Sequence, residues 1–378
     1  MDRKEISLYV HIPFCVRKCA YCDFPSFAGK EDLTGKYFDA LLSEIGKEET
    51  TAGRKADTVY FGGGTPSSVP PEFICRVLEE LRGKYEISPE AEITLEMNPG
   101  TLKKGAGERY LEAGINRISL GCQSFNDRSL KRLGRIHRER EILETFDSLR
   151  KTGFRNINLD LISDIPGEKS EDLERSLKRA VSLEPEHISV YSLILEEGTE
   201  LFRQYENGEL KDLPDEDTRQ ENDIRVRSIL KDNNYNRYEI SNYAREGKEC
   251  RHNLTYWNRG DYRGFGLGAA SLTGKRRFTN APDLVYINQP GGVLAEDRFL
   301  SEKEEMEEFF FLGLRQLRGV AEGAFREMFN KDIPPEYKKV LEEQTGSGLM
   351  LFENGRYFYT EKGLDLSNIL MADFLTEM

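Results

Sequence analysis

The chain has 378 residues, of which 38% are hydrophobic and 32% are charged, and its formal net charge is −13. A chain of this length is too long for one ordinary hydrophobic core, and it fits a large α/β domain with a further, smaller part. Its acidic surface disfavours binding to nucleic acid. No apolar run of about 18 residues could span a membrane, and the charged start lacks a signal-peptide core, so we expect a cytoplasmic location with peripheral membrane contact left open.

The first two hundred residues alternate short apolar runs with amphipathic stretches, a pattern typical of βα units. We predict six strands, at Ile6–Ile12, Thr58–Phe61, Glu92–Met97, Arg117–Gly121, Asn156–Ile162 and His187–Leu193. We predict helices between them at Leu33–Lys47, Pro71–Lys84, Lys103–Ala113, Arg138–Thr152 and Ser170–Val181. Six such units predict an α/β fold, a partial (β/α)6 parallel barrel over residues 1–214, in which ligands bind at the C-terminal ends of the strands.

The remaining chain is predicted in two parts. Residues 215–300 are expected to form an irregular extension, with one helix at Asp217–Asp232 followed by loops. Residues 301–378 are expected to form a small winged-helix-like α+β domain, whose Asn354-Gly355 pair favours a type I′ hairpin turn. Its predicted elements are Glu304–Leu317, Ala324–Phe329, Pro335–Gln344, Leu349–Phe352, Arg356–Thr360 and Leu364–Phe374. Because this segment is not notably basic, we favour a packing or partner role over DNA binding.

Three of the six cysteines lie within eight residues, after the first predicted strand, as Cys15, Cys19 and Cys22 in a C-x3-C-x2-C pattern. Three thiolates on one loop can ligate a [4Fe–4S] cluster and leave one iron open to another ligand. One alternative is a zinc site, which normally takes four ligands and would need His11 in a strained position. Another is a redox CxxC pair, which would leave Cys15 unexplained. The other cysteines are expected to be small buried hydrophobic residues: Cys75, Cys122 and Cys250.

A glycine run, Gly62-Gly63-Gly64-Thr65-Pro66, follows the second predicted strand. Glycines there let backbone amides approach a ligand closely. The same residues also mark a tight strand-to-helix turn, so the run alone is a weak indication of a site.

Together, the CxxxCxxC and GGGTP segments resemble the radical S-adenosylmethionine superfamily. The resemblance extends over nearly the whole chain through YVHIPFC, EMNPGT, GCQSFN, NLDLI and HNLTYW. It is closest to the branch that contains the oxygen-independent coproporphyrinogen III dehydrogenases and the HemW-type haem chaperones.

This resemblance implies that the three clustered cysteines ligate a [4Fe–4S] cluster whose open iron holds S-adenosylmethionine. It implies contacts to that cofactor from Tyr9, the backbone at Tyr21, Gly63, Gly64, Thr65 and Glu96. It also implies that Gln123, Arg135 and Asp160 line the remaining cavity, where the dehydrogenases hold a second cofactor molecule. An electron donor such as flavodoxin or ferredoxin would be required.

Two departures from the dehydrogenases favour the chaperones. The dehydrogenases have a fourth cysteine where this chain has Phe24, and they carry an N-terminal extension where only eight residues precede Tyr9.

The HNLTYW segment supports haem binding. His252 is the predicted axial ligand, with Cys250 as an alternative and with Tyr256 and Trp257 as an apolar wall for a porphyrin. The competing interpretation of His252 is a loop histidine satisfied by hydrogen bonds. His137 and His187 are expected to be structural or surface residues.

We therefore expect a haem chaperone that binds haem, a [4Fe–4S] cluster and S-adenosylmethionine, and that passes haem to an acceptor haemoprotein such as a respiratory one. The alternatives are a radical enzyme such as coproporphyrinogen III dehydrogenase, and a structural metal module. Whether the chain is an enzyme stays open at this stage. Because a cluster can bridge two chains, a homodimer is also compatible with the sequence.

Overall fold

The computed structural model describes residues 5–48 and 54–375. The strands in the main sheet and its surroundings are β1 (Glu5–Ile12), β2 (Phe14–Cys15), β3 (Phe27–Ala28), β4 (Lys55–Gly63), β5 (Glu86–Met97), β6 (Arg117–Gln123), β7 (Ile157–Ser163), β8 (His187–Ser192), β9 (Asn236–Arg237), β10 (Asn242–Ala244), β11 (Tyr262–Phe265), β12 (Ala270–Thr273), β13 (Arg276–Asn280) and β14 (Leu294–Phe299). Later in the chain come β15 (Val320–Ala321), β16 (Met350–Glu353) and β17 (Arg356–Tyr359).

The helices are α1 (Thr34–Lys47), α2 (Pro71–Lys84), α3 (Ala106–Glu112), α4 (Asp127–Arg132), α5 (Glu139–Thr152), α6 (Ser170–Ser182), α7 (Glu200–Glu206), α8 (Glu216–Asp232), α9 (Arg251–Trp257), α10 (Glu302–Gly313), α11 (Glu322–Phe329), α12 (Pro335–Gly346), α13 (Glu361–Asp365) and α14 (Ser367–Ala372). Short 3₁₀ turns occur at Glu31–Leu33, Pro66–Ser68 and Leu284–Ile287. None of the helices in the described part of the chain is both long and apolar enough to cross a membrane.

One sheet organises most of the described chain. Its strand order is β14-β13-β12-β11-β1-β4-β5-β6-β7-β8-β10-β9. The central run from β11 to β8 is parallel, whereas β12–β14 and β9–β10 extend the two ends in antiparallel pairing. The predicted α/β partial barrel of six βα units is confirmed, with β11 as an additional parallel neighbour of β1.

The crossover helices cover the sheet with apolar faces. Helix α2 begins at Pro71, where a fixed φ and a missing N–H cost nothing, and it buries Ile74, Val77, Leu78 and Leu81 at helical spacing. These side chains join one large core with the buried residues of β1 and β4–β8. The predicted strands and helices of the first two hundred residues thus follow from local pattern alone.

The prediction of loops after Asp232 was wrong. Strands β9–β14 pair there, and α9 forms over the HNLTYW segment. The short strands escaped prediction because they carry arginines and tyrosines on partly exposed faces. In β11, Gly264 is required because a Cβ there would lie 2.2 Å from the Ala270 carbonyl oxygen on the neighbouring strand.

The elements from α10 onward bury a separate apolar cluster that includes Phe310, Phe325 and Tyr337. Their small antiparallel sheet has the order β15-β17-β16. The predicted hairpin is confirmed, with Asn354 and Gly355 at φ values of 51° and 73°, as a type I′ turn requires. A small C-terminal α+β unit is therefore present, and its exact boundaries stay a prediction.

Candidate cofactor site

The parallel strands end together on one side of the sheet, which we call the C-terminal edge. Strand β1 ends at Ile12, β4 at Gly63, β5 at Met97, β6 at Gln123 and β7 at Ser163. The segment that carries the clustered cysteines leaves β1 at this edge, and the glycine run ends β4 beside it. Parallel folds place their ligands at such an edge.

The three clustered thiols share one environment. The Sγ atom of Cys15 lies 3.4 Å from Thr65 Oγ1, and Arg135 donates to Cys19 Sγ at 3.3 Å. Burial raises the pKa of Cys15 and raises that of Cys22 to about 11, and the neighbouring Cys19 raises both further. The raised pKa values keep the Cys15 and Cys22 thiols protonated at neutral pH, so an iron that binds them must displace those protons.

A cluster and a single metal ion require different arrangements of the three thiolates. Among residues 5–48 and 54–375, no three His, Cys, Asp or Glu side chains lie close enough to hold one metal ion. A zinc site needs several ligands on one atom, whereas each thiolate of a [4Fe–4S] cluster ligates a different iron. His11, the suggested fourth zinc ligand, instead has both ring nitrogens within hydrogen-bond distance of Tyr9 and Pro25.

The glycine turn lies directly against the cysteine loop. The Gly64 amide donates to the Ile12 carbonyl and the Thr65 amide donates to the Phe14 carbonyl, both at 2.8 Å. A Cβ atom on Gly64 would lie 2.8 Å from the Phe14 carbonyl oxygen and 3.0 Å from Cys15 Sγ. A side chain at this position would clash with the cysteine loop, so glycine lets the turn pack directly against the loop.

Glu96 lies at the end of β5 with both carboxylate oxygens engaged. Tyr60 donates to Oε1 at 2.8 Å, and the Gly63 amide donates to Oε2 at 3.1 Å. Burial raises the pKa of Glu96 to about 7, against the opposing effect of the Tyr60 hydrogen bond. The carboxyl group is thus poised to ionise near neutral pH, where it can pair with a cationic amine.

Asp160 on β7 accepts hydrogen bonds from Ser119 at 2.9 Å and Asn158 at 2.8 Å, and burial raises its pKa. Gln123 ends β6 with φ of 67°, at a register shift against β7. Tyr21 packs against a small apolar cluster at this edge that includes Leu133 and Leu193. Tyr9 lies within β1, with its hydroxyl 3.1 Å from His11 Nδ1, and the cofactor contacts of all four residues stay a prediction.

Asn98, to which the sequence analysis assigned no role, connects the two halves of the site. Its Nδ2 donates to Thr65 Oγ1 at 2.8 Å, and its Oδ1 accepts from Arg135, which also donates to the Gly121 carbonyl and to Cys19 Sγ. A chain of contacts thus runs from Cys15 through Thr65, Asn98 and Arg135 to Cys19. The signal was present in the EMNPGT segment, where a polar side chain follows directly on a strand end.

His252 is the predicted residue that the structure does not bring to this edge. It lies in α9, where its ring stacks on that of Tyr60 in β4 at 5.0 Å, and is 1% exposed. Its Nδ1 is 2.7 Å from Thr58 Oγ1 and its Nε2 is 2.8 Å from the Tyr256 hydroxyl. Burial lowers its pKa to about 3, so the ring is neutral. An axial bond from His252 to haem would replace one of these two hydrogen bonds, and haem ligation by His252 stays a prediction.

The neighbours of His252 are also engaged. Cys250 is buried with Sγ 3.6 Å from Glu92 Oε1, and burial raises its pKa to about 12. Trp257 packs under the Arg315 guanidinium at 4.5 Å, and the Tyr256 ring lies edge-on to His252. Tyr256 and Trp257 are both half-buried, and their part in a porphyrin wall stays a prediction. His137 and His187 are buried and hydrogen-bonded, as structural residues are.

Comparison of the chain with known proteins shows which family it resembles. The Radical SAM superfamily matches residues 9–180, and the HemN C-terminal domain matches residues 300–366. The Heme chaperone HemW of Bacillus subtilis (strain 168) is 34% identical, over 98% of this chain and 100% of the relative. The Heme chaperone HemW of Escherichia coli (strain K12) is 35% identical over 98% of both chains.

The solved structure of coproporphyrinogen III oxidase (HemN) from Escherichia coli, described as a radical SAM enzyme, superposes with a TM-score of 0.85 at 23% identity. It covers 100% of this chain and 92% of that one, which shows a shared fold. Membership of the superfamily implies a [4Fe–4S] cluster and S-adenosylmethionine. By its full-length similarity to these relatives, the chain belongs to the Heme chaperone HemW family on a radical S-adenosylmethionine scaffold.

Proposed function

We propose that this protein binds haem and passes it to an acceptor haemoprotein, with a [4Fe–4S] cluster held by Cys15, Cys19 and Cys22. The observation that carries the proposal is the similarity to Heme chaperone HemW relatives over 98% of the chain. The clustered thiols beside a side-chain-free glycine turn support it. When bound and reduced, the cluster supplies an electron to the sulfonium of S-adenosylmethionine, so a donor such as flavodoxin or ferredoxin belongs to the proposal.

The chain's own residues take distinct parts in holding these groups. Gly63, Gly64 and Thr65 are assigned to the methionine end of S-adenosylmethionine, as the family resemblance implies, and ionised Glu96 attracts its positive charge. The Arg135 guanidinium offsets the negative charge that builds up on the thiolates, because it donates directly to Cys19 Sγ.

We place the haem at the C-terminal edge rather than at His252. Val16 and Phe24 lie in the cysteine loop after β2, Ile136 follows α4 and Ile194 follows β8, and each is between 57% and 65% exposed. Exposed apolar side chains gathered on one side of a protein mark a binding surface. A chaperone must also release its cargo, which an open face permits more readily than a buried ligand.

A pair of double variants tests this placement. Ile136→Ser with Ile194→Ser should weaken haem binding about tenfold or more, since roughly 1 kcal/mol of apolar contact is lost at each side chain. The control is Ile224→Ser with Ile369→Ser, which removes equally exposed isoleucines on α8 and α14. Haem titration followed by the Soret band measures both. Equal weakening in the two double variants would contradict the placement.

The same preparation tests catalysis. The reconstituted protein, supplied with reductant, S-adenosylmethionine and coproporphyrinogen III under anaerobic conditions, should form no protoporphyrinogen IX. Formation of that product at a catalytic rate would replace the chaperone proposal with a dehydrogenase.

A further inference from the structure

We propose that His11 is a positioning residue that sets the placement of the cysteine loop against the glycine turn. The inference rests on the proposed cofactor site and concerns a side chain that would ligate neither the cluster nor any other metal. His11 lies at the end of β1 and is 4% exposed, so water cannot replace the partners of its ring.

The two ring nitrogens of His11 have opposite roles. Nε2 is 2.8 Å from the Pro25 carbonyl oxygen, and since a carbonyl only accepts, Nε2 carries the proton. Nδ1 then accepts from the Tyr9 hydroxyl at 3.1 Å. The neutral ring, whose pKa is lowered by burial to about 4, therefore ties the exit of the cysteine loop to β1 in one tautomer.

The face of the ring supports the glycine turn. A Cβ atom on Gly63 would lie between 2.5 and 2.8 Å from three atoms of the imidazole, and Gly63 has φ of 112°. The ring thus fills the space that any side chain at Gly63 would need. One rigid side chain contacts both the loop that carries the thiols and the turn proposed to hold the methionine end of the cofactor.

The main chain of His11 is itself fixed from several sides. It pairs with Gly62 in the sheet, and Tyr37 donates to its carbonyl oxygen at 2.6 Å. A Cβ on Gly266 would approach that same oxygen to 2.8 Å, so the turn after β11 packs tightly on this point. Because the His11 backbone is fixed, the length of the His11 side chain sets the distance between Pro25 and β1.

Most other hydrogen bonds near the C-terminal end of the cysteine loop join residues of that loop to each other. Lys18 and Ser26 both donate to the Phe24 carbonyl, which does not fix the loop against the barrel. The Phe27 amide donates to the Pro13 carbonyl oxygen at 2.7 Å. This bond is a neighbour in sequence of the bond from His11 to Pro25. Outer contacts of this kind orient metal ligands, and their loss typically costs about 10- to 100-fold in affinity.

Two substitutions separate the roles of the ring nitrogens. His11→Gln keeps an N–H where Nε2 stands and should retain the bond to Pro25. His11→Asn keeps only a group near Nδ1 and should lose that bond. Full-length protein, reconstituted anaerobically with iron and sulfide, is examined by iron content, by the rate of iron loss to a chelator, and by the electron paramagnetic resonance spectrum with increasing S-adenosylmethionine.

We expect His11→Gln to follow the wild type within about threefold, whereas His11→Asn needs about tenfold more S-adenosylmethionine for the same spectral change and loses iron faster. Thermal unfolding of the iron-free proteins controls for folding. The inference is overturned if His11→Asn behaves as the wild type does, or if His11→Gln is as impaired as His11→Asn. If His11→Asn does not fold, the glutamine variant decides alone: wild-type behaviour supports the inference and a tenfold loss overturns it.

A separate control distinguishes failure of the cofactor site from failure of the His11 role. A variant with serine at positions 15, 19 and 22 should retain no cluster iron. Iron retained at the wild-type level in that variant would overturn the proposed cofactor site itself, whatever the His11 variants show.

Discussion

Glu96 combines a buried carboxyl group with two hydrogen-bond donors, Tyr60 and the Gly63 amide. Burial favours its neutral form, and the two donors favour its charged form. The outcome is a pKa of about 7, so small changes of pH alter the charge that the site presents to a cationic cofactor. For folding, the same shift has a definite sign: the raised pKa contributes stability below the unfolded value, which is lost as pH rises toward 7.

The Glu96 carboxyl group gives a pH prediction for cofactor binding. With a pKa of about 7, the group is about 9% ionised at pH 6 and about 76% ionised at pH 7.5, so affinity for S-adenosylmethionine should rise about eightfold over that interval. Calorimetric titration of reconstituted protein at pH 6 and pH 7.5 measures it. Glu96→Gln should bind weakly and without this rise, whereas Glu90→Gln, an exposed residue on the same strand, should behave as wild type. An unchanged pH profile in Glu96→Gln would refute the assignment.

His252 gives a prediction about stability. His252→Ala should lower the free energy of unfolding by about 2–3 kcal/mol, because Thr58 and Tyr256 lose partners in a region that water does not reach. Denaturant unfolding measures this, and the haem Soret band should stay unchanged. Tyr256→Phe removes one of the two bonds and should cost about half as much. Loss of the Soret band with unchanged stability would restore His252 as the haem ligand.

Helix α9 shows how one sequence motif forms a structural element. Its first amides, from Arg251 and His252, donate to the Glu92 carboxylate at 3.2 Å each. Thr255 Oγ1 lies 2.8 Å from Ser7 Oγ. The first amides of α9 and the His252 and Thr255 side chains thus anchor the helix to β5, β4 and β1.

The carboxylate at the start of α9 can be tested directly. Glu92→Ala should lower the free energy of unfolding by about 1–2 kcal/mol, since two helix amides and the favourable end of the helix dipole lose their partner. The matched control is Glu90→Ala, two residues earlier on β5 with an exposed side chain. Urea unfolding of both variants measures the difference, and equal stabilities would show that Glu92 does not hold the helix.

A feature could be predicted from the sequence only where the residues that form it are close together along the chain. The six parallel strands of the first two hundred residues, the cysteine spacing and the Asn-Gly hairpin depend on neighbouring residues and were predicted, whereas β9–β14 were not. The position of His252 depends on Thr58, 194 residues away, and no local pattern reports such a pair. Asn98 and His11 escaped for the same reason, because their roles arise only when separate strand ends meet.

On the scale of the whole molecule, α9 also joins the barrel to the C-terminal elements. Arg259, directly after this helix, forms buried ion pairs with Glu305 and Glu308 of α10, each at 3.0 Å. Asn258 accepts from Gln316 at 3.1 Å. The contacts of α9 therefore join the parts of the chain, whereas the C-terminal edge holds the proposed cofactor site.

The central claim is that haem and the cluster share the C-terminal edge. If they do, a bound cluster fixes the loop that carries Val16 and Phe24, and the two ligands must be energetically coupled. Anaerobic haem titration of the reconstituted protein, the cluster-free protein and the variant with serine at positions 15, 19 and 22 measures this coupling. Our account predicts haem affinity about fivefold or more higher in the reconstituted protein than in the other two. Equal haem affinity in all three preparations would contradict it.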